Sequence, residues 1–261
     1  MDHSSGVFKM KIYIPTRGRA NSQVTLKFFP DGLKEKTVLA VDHDEKDLYD
    51  AYPNVWVMPE DLPSGISPKR KYICENSDDP KVVMLDDDIR FYVRKAYNDW
   101  HLRYLEPHEL PAMFGVLDKW LNEYAHCGVS AREGNNRIEE LSVENTRYMR
   151  LLAYNMDMLD GVELGRTRIM EDFDVNLQLL RKGKKSKVSY YYAQGQGTSN
   201  ADGGCSEWRD LEVQAEGAEL LGSLHPDFVR VVEKKTKEAW GGGTRKDVIV
   251  QWKKAYASSQ S

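Results

Sequence analysis

The feature that most constrains the fold is residues 81–90, where the apolar run Val82, Val83, Met84 and Leu85 leads directly into Asp86, Asp87 and Asp88. Four consecutive strand-forming residues need cover on both faces, the condition of a central strand in a parallel-type sheet. Open α/β sheets bind ligands beyond the carboxyl ends of their strands, and three acids stand at that end here. Carboxylates so close repel one another unless a cation lies between them. Alternation along the strand points Asp86 and Asp88 the same way and Asp87 across. Asp86 and Asp88 are therefore candidate oxygen ligands for Mg²⁺ or Mn²⁺, ions that complete their shell with phosphate oxygens. A solvated acidic turn is the competing reading, and it leaves the crowding unexplained.

Upstream, strands alternate with helices, the pattern of a parallel sheet. Residues 9–15 read as a first strand whose exit, Thr16-Arg17-Gly18-Arg19, lies where a nucleotide would sit. A helix over about residues 20–29 leads to a second strand, 37–41, which ends at Asp42 and brings another acid to the same edge. Residues 44–52 fit a short helix and 54–58 a third strand. Ser67-Pro68 reads as an N-cap with proline in the first helical position, opening a helix over 68–76. Lys69, Arg70 and Lys71 crowd its first turns, where cations oppose the macrodipole; an external anion would relieve them, and so would solvent.

Downstream, residues 91–105 read as irregular and aromatic. Leu110, Met113, Phe114, Leu117, Leu121 and Tyr124 recur at helical spacing, and a short strand at 129–131 follows Gly128. The loop Arg132-Glu133-Gly134-Asn135-Asn136-Arg137 offers sugar or phosphate contacts, although turn chemistry also accounts for it. Residues 147–154 fit a further strand. Met170-Glu171-Asp172-Phe173-Asp174 then opens a helix with Met170, Phe173, Leu177 and Leu180 on one stripe, ending at Gly183. Acids in a first turn are commonly caps. A tyrosine-rich strand at 188–193, a glycine-rich loop at 194–205 and a helix over about 207–221 complete the pattern.

Charge is unevenly spread: residues 30–61 carry nine acids and three bases, whereas residues 230–254 carry eight bases and three acids. Cations there, interleaved with Trp240 and Trp252, suit a polyanion, and indoles can stack on bases; solvated surfaces and core tryptophans are the plainer alternatives. No apolar run reaches membrane-spanning length and no leader is visible, so a cytoplasmic protein is expected. Cys74, Cys127 and Cys205 lack metal-type spacing and fit a reducing compartment.

The ordered elements Ile-Pro-Thr-Arg-Gly-Arg, Asp42, the basic helix, Met-Leu-Asp-Asp-Asp, and Glu-Asp opening a helix that ends Leu-Leu-Arg-Lys-Gly resemble the GT-A glycosyltransferases over about residues 9–192. Within that class the Ile-Pro-Thr-Arg-Gly-Arg opening and the basic tail are similar to the phage TET/JBP-associated enzymes that act on hydroxylated DNA bases. The resemblance implies nucleotide-sugar contacts from Thr16, Arg17, Arg19, Asp42, Arg70, Asp86 and Asp87, and a metal, Mn²⁺ or Mg²⁺, at Asp86 and Asp88 with His225 as a candidate third ligand. It also implies a catalytic base at Asp172 beside Glu171. The acceptor-binding candidates are Arg132, Asn135, Asn136, Arg137, Lys234, Lys235, Lys237, Trp240, Arg245 and Lys246.

The expected architecture is a GT-A α/β domain, Rossmann-like and mostly parallel, over residues 1–205, with a basic helical C-terminal extension over 206–261. The expected activity is metal-dependent, inverting transfer from a UDP-sugar to a hydroxymethylated base, such as 5-hydroxymethylcytosine, in double-stranded DNA. The host cytoplasm is the expected location if a phage encodes the chain. A surface polysaccharide or small-molecule acceptor, a non-catalytic nucleic-acid-binding module and a nucleotidyl transferase remain as alternatives.

Overall fold

A computed structural model describes residues 8–97, 99–196, 210–236 and 243–260. In chain order the elements are β1 (Lys11–Thr16), α1 (Val24–Phe28), α2 (Asp31–Lys34), β2 (Thr37–Val41), β3 (Val55–Val57), α3 (Ile66–Asn76) and β4 (Lys81–Leu85). There follow β5 (Ile89–Ala96), β6 (Asp99–Tyr104), α4 (Leu110–Trp120), β7 (His126–Ala131), β8 (Ser142–Glu144) and β9 (Leu151–Asn155). The chain ends with α5 (Glu171–Arg181), β10 (Ser186–Gln196), α6 (Leu211–Leu224), β11 (Val229–Lys235), β12 (Thr244–Val250) and α7 (Trp252–Ala257).

The main sheet has the order β3-β2-β1-β4-β9-β7-β10-β5-β6, with β8 pairing β10. Strands β1 to β4, β6, β7 and β10 run one way; β5, β8 and β9 run against them. The sheet is thus mostly parallel in direction but mixed in its ladders. Alternation along β4 divides the core: Val83 and Leu85 join one apolar layer with α4, while Val82 and Met84 join a second with Ile73 of α3 and Val175 and Leu179 of α5. A fully buried central strand is what the apolar run at 82–85 demanded.

Residues 91–105 depart from the expected irregularity. They form the hairpin β5–β6, with Tyr92 opposite Tyr104 and Phe91 and Val93 in the core. The cause is edge pairing: β5 runs antiparallel to β10, so the aromatic residues alternate between a core face and an open face. The basic helix also starts earlier than expected. Gly65 is its cap at φ 129°, a conformation that glycine tolerates, and Ser67 lies inside the helix with its hydroxyl donating to Thr167 O at 2.7 Å.

The C-terminal part is not helical throughout. After α6 the chain forms the antiparallel hairpin β11–β12, registered from Val229↔Val250 to Lys235↔Thr244, and then α7. This unit packs on α5 through a third apolar cluster: Phe173, Leu177 and Leu180 of α5 meet Ala218, Leu221, Phe228, Val248 and Ala255. The helix that presents Asp172 is therefore core on both sides. Trp252 belongs to this packing, edge-on to Phe173 with ring centroids 5.2 Å apart. Cys74 and Cys127 are free thiols, and no described helix is long and apolar enough to cross a membrane.

Candidate active site

The carboxyl ends of β1, β2 and β4 are neighbours in the sheet, which brings Thr16, Asp42 and Asp86 to one edge. Thr16 donates to Asp87 Oδ2 at 2.5 Å, and buried Arg19 pairs with Asp87 and, at 2.8 Å, with Asp88. Gln196, at the end of β10, donates to the other oxygen of Asp88 at 2.9 Å. The alternation expected of the three acids ends with the strand: the chain turns after Leu85, so Asp87 and Asp88 share one guanidinium while Asp86 faces another. That other is Arg70, whose Nη2 lies 2.7 Å from Asp86 Oδ1 and whose Nη1 pairs with Glu171.

A second group surrounds Asp42. Arg17 reaches it at 2.8 Å and Asp44 at 3.0 Å, while Lys69 lies 2.9 Å from the Asp42 carboxylate and donates to Thr16 O at 2.6 Å. Lys69 is 3% exposed, so it is an internal brace between β1 and β2 and not a solvated cation of the helix. Sequence reading left it off the site; its position one residue before Arg70 was the available signal. Gly18 N donates to Glu45, which holds the Thr-Arg-Gly-Arg turn against the loop after β2.

Desolvation pushes the Asp86 carboxyl up to about 7, against the pull of Arg70 and with the push of Asp88 and Asp87. Burial also pushes Asp172 up to about 6, with Glu171 adding to the rise and Arg70 and Arg147 opposing it. The three first-turn acids of α5 have different fates. Glu171 binds Arg70; Asp174 binds Arg166, His225 at 2.8 Å and Gln178 at 3.0 Å; Asp172 has no ion pair among the described residues and accepts only from Phe173 N at 3.0 Å. It borders a small cleft between α3 and α5, with Arg70, Ser67, Tyr154 and Glu171. Ion pairs account for the other two acids and leave Asp172 over.

The backbone adds strain at the same place. Among the described residues three other than glycine take positive φ: Asn145 at 52°, Arg150 at 64° and Met170 at 60°. Met170 immediately precedes Glu171, and Arg150 O accepts from Asp86 N at 2.9 Å. Left-handed residues of this type cost about 1–3 kcal/mol each and persist where the surroundings over-determine them.

The model of the TET-associated glycosyltransferase family matches residues 10–204, three quarters of the chain. The chain belongs to that family. Among solved structures, S. aureus TarS residues 1–349 in complex with UDP-GlcNAc aligns with TM-score 0.54 and 12% identity, over 84% of this chain and 67% of that one. The mannosyltransferase PcManGT from Pyrobaculum calidifontis, in complex with GDP-Man and Mn²⁺, gives 0.53 and 12%, over 83% and 63%. Glucosyl-3-phosphoglycerate synthase from Mycobacterium tuberculosis, in complex with Mn²⁺, UDP and phosphoglyceric acid, gives 0.51 and 10%, over 94% and 87%. The chain thus spans 63% of the mannosyltransferase's length and most of the synthase's. At such identities the likeness establishes the GT-A fold. The comparison with curated proteins finds no match.

In this TET-associated glycosyltransferase the nucleotide-side residues expected from sequence, Thr16, Arg17, Arg19, Asp42, Arg70, Asp86 and Asp87, form one connected edge. His225 does not join it. Fully buried, it points Nε2 at Asp174 and Nδ1 at Arg181, 3.1 Å away, so both ring nitrogens are engaged in tying α6 to α5. Among the described residues no three His, Cys, Asp or Glu side chains form a ready-made metal cage. Asn135 is also a strut: wholly buried, it donates to Ser130 at 2.6 Å and Tyr190 O at 2.8 Å and accepts from Arg94 at 3.3 Å. Arg132, Asn136 and Arg137 stay exposed on its loop. Lys234 and Arg245 both pair with Asp247 at 3.2 Å, Lys246 pairs with Glu219, and Lys235 is exposed. Lys237 and Trp240 lie outside the described residues.

Proposed function

We propose that this glycosyltransferase moves a sugar, with inversion, from a UDP-sugar onto the hydroxyl of a hydroxymethylated base in DNA. The observation that carries the chemistry is Asp172, a half-buried carboxylate without an ion pair among the described residues, at the cleft beside Arg70 and Asp86. A carboxylate pushed up to about 6 is ionised at neutral pH and basic enough to take the acceptor's proton. One base and one displacement invert the anomeric carbon. Glu171 does not compete for that role, because its carboxylate is committed to Arg70.

The donor set fits a divalent metal. Burial, with a smaller push from Asp88 and Asp87, lifts Asp86 to about 7 against the pull of Arg70, a condition that added positive charge relieves, and its oxygens and those of Asp88 are hard ligands. A set of fewer than three protein ligands, as found among the described residues, suits ions that take one or two carboxylates and fill their shell with substrate phosphates. Asp86 and Asp88 would hold Mn²⁺ or Mg²⁺, which when bound supplies charge compensation for the departing diphosphate. Arg70 adds a fixed cation; its buried Nε has no acceptor among the described residues. Arg17, Asp42 and Lys69 shape the nucleotide end, and Arg19 holds the acidic turn in place.

Support for a DNA acceptor comes from the family's name and the exposed cations around the site. Incubation with Mn²⁺, a panel of UDP-sugars and duplex DNA containing 5-hydroxymethylcytosine, followed by mass analysis of the nucleosides, tests the reading. A mass gain of one sugar on the modified base supports it. Transfer to a saccharide but to no DNA substrate rejects the acceptor and keeps the enzyme class, and release of sugar 1-phosphate, the leaving group of nucleotidyl transfer from a UDP-sugar, in place of nucleoside diphosphate rejects glycosyl transfer.

A further inference from the structure

The second apolar layer, formed with α3 and α5, covers one face of the sheet over β1, β2, β4, β9 and the first half of β10. Beyond β10 the same face is covered only in part: Arg94 and Tyr92 of β5 are buried, whereas Arg90 and Tyr104 of β5–β6 are exposed. Tyr92 and Tyr104, opposite each other in the hairpin, are stacked with centroids 4.9 Å apart and planes 29° from parallel. Tyr104 is 52% exposed although it is a large ring on an ordered strand. Arg132, at the end of β7, lies over the Tyr92 ring at 5.1 Å and is 3.4 Å from its hydroxyl. Arg90 sits two residues before Tyr92 on the same strand, and the neighbouring Tyr92 hydroxyl, followed by Arg90, lowers the Tyr104 phenol from its ordinary value.

A glycine makes this arrangement possible. Gly195 of β10 pairs with Arg90, and a Cβ there would stand 3.3 Å from both Arg132 Cβ and the Tyr92 ring. The next residue, Gln196, holds Asp88, and the register places it opposite Ile89. The aromatic shelf is therefore continuous with the acidic turn of the donor site. Its charge also differs from that of the C-terminal hairpin: Lys234, Arg245 and Lys246 are matched by Asp247 and Glu219, whereas Arg90 and Arg132 have no acidic partner among the described residues.

We propose that the exposed shelf of Tyr104, Arg90 and Arg132, backed by the buried Tyr92 ring, binds a nucleotide of the acceptor strand, a base stacking on Tyr104 and the adjoining phosphates meeting the two guanidiniums. The assignment rests on the DNA-acceptor reading. Stacking suits any base, because every base has a π face, and cations at its border add affinity without sequence preference. A shelf beside the donor site would hold the strand next to the target, so that a base drawn out of the helix reaches Asp172 and not bulk solvent.

The test is anisotropy of a fluorescein-labelled 5-hydroxymethylcytosine oligonucleotide, single-stranded and duplex, titrated with the full-length protein over a range of salt. Tyr104→Ala is expected to weaken binding roughly tenfold or more, as for loss of one stacked base, and Tyr104→Phe to restore it. Arg90→Gln with Arg132→Gln should lower the salt slope by about 1.4–1.8, at 0.7–0.9 per phosphate contact. Lys119→Gln, an exposed cation on α4 under the opposite face, should leave affinity and slope as they are. Circular dichroism melting of each variant separates lost contacts from lost fold. Wild-type binding with unchanged affinity and slope in the folded shelf variants would overturn the shelf alone. A wild-type protein that binds no oligonucleotide and glycosylates no DNA would overturn the acceptor reading and the shelf with it.

Discussion

At the residue scale the decisive distinction is between the first-turn acids of α5 that have ion-pair partners among the described residues and Asp172, which has none. Asp174 and Glu171 are neutralised by arginines, so they are structural anions at a helix start, while Asp172 keeps a lone carboxylate. Asp172→Asn should lower kcat by at least about 100-fold, the lower end for a general base, while titration calorimetry shows donor binding almost intact. Loss of donor binding as well would make Asp172 a donor-site residue. Because the base works only when ionised, and burial raises it to about 6, kcat should be steady above neutrality and fall as pH drops through 6. A profile flat from pH 5 to 8 would contradict the assignment. Asp88→Asn, or treatment with excess chelator, should remove most turnover, and Mn²⁺ should restore the chelated wild type but not the variant; full activity in chelator would end the two-acid metal reading.

At the scale of elements, α5 is held on two sides, and Asp174 is the fastener. Burial on its own would raise its pKa, yet the His225 and Arg166 bonds outweigh that and hold it below the ordinary carboxylate range. A group depressed in the folded state contributes stability that is complete above the unfolded value and is lost as pH falls through the folded one. Urea denaturation should therefore show Asp174→Asn less stable than wild type at pH 7, by about 3–5 kcal/mol for a broken buried pair, with the gap closing in acid. An equal gap at pH 7 and in strong acid would show that volume or packing, not charge, explains the loss. The same pairing explains why His225 is not a metal ligand: its place at the end of α6 puts it against α5.

For the whole molecule, the C-terminal unit is part of the catalytic fold by packing, despite its different charge. Phe173, Leu177 and Leu180 would lose their cover if residues 210–260 were removed. A chain truncated at 205 should accordingly aggregate or melt well below the full-length protein in a thermal scan; a truncated chain with the full-length melting temperature would show that the extension is independent. Partnering within β11–β12 also limits its use as a polyanion site. Neutralising Lys234, Lys235 and Lys237 together should flatten the salt slope for duplex DNA by at most about 2–3, and by less where Asp247 already shields Lys234.

Much of the site was legible because its residues stand next to strand ends that local pattern marks. The run 82–85 determined a buried central strand, and with it the place of Asp86; the break after Ile14-Pro15 determined the exit holding Thr16 and Arg19, as Val41 did for Asp42. Periodicity likewise marked α4 and α5, whose apolar stripes repeat every turn. What tertiary structure alone decided are the pairings between distant segments. Whether Asp172 or its neighbours keep a free carboxylate depends on Arg70 and Arg166, which reach α5 from other segments, and the fates of His225 and Asn135 depend on what encloses them. The tyrosines of residues 91–105 gave no strand signal strong enough to read, since they alternate between core and open face only when β10 lies alongside β5. Local pattern records which residues an element must bury; charge partners and edge pairing are set by where separate elements meet, and that information is spread across the whole chain.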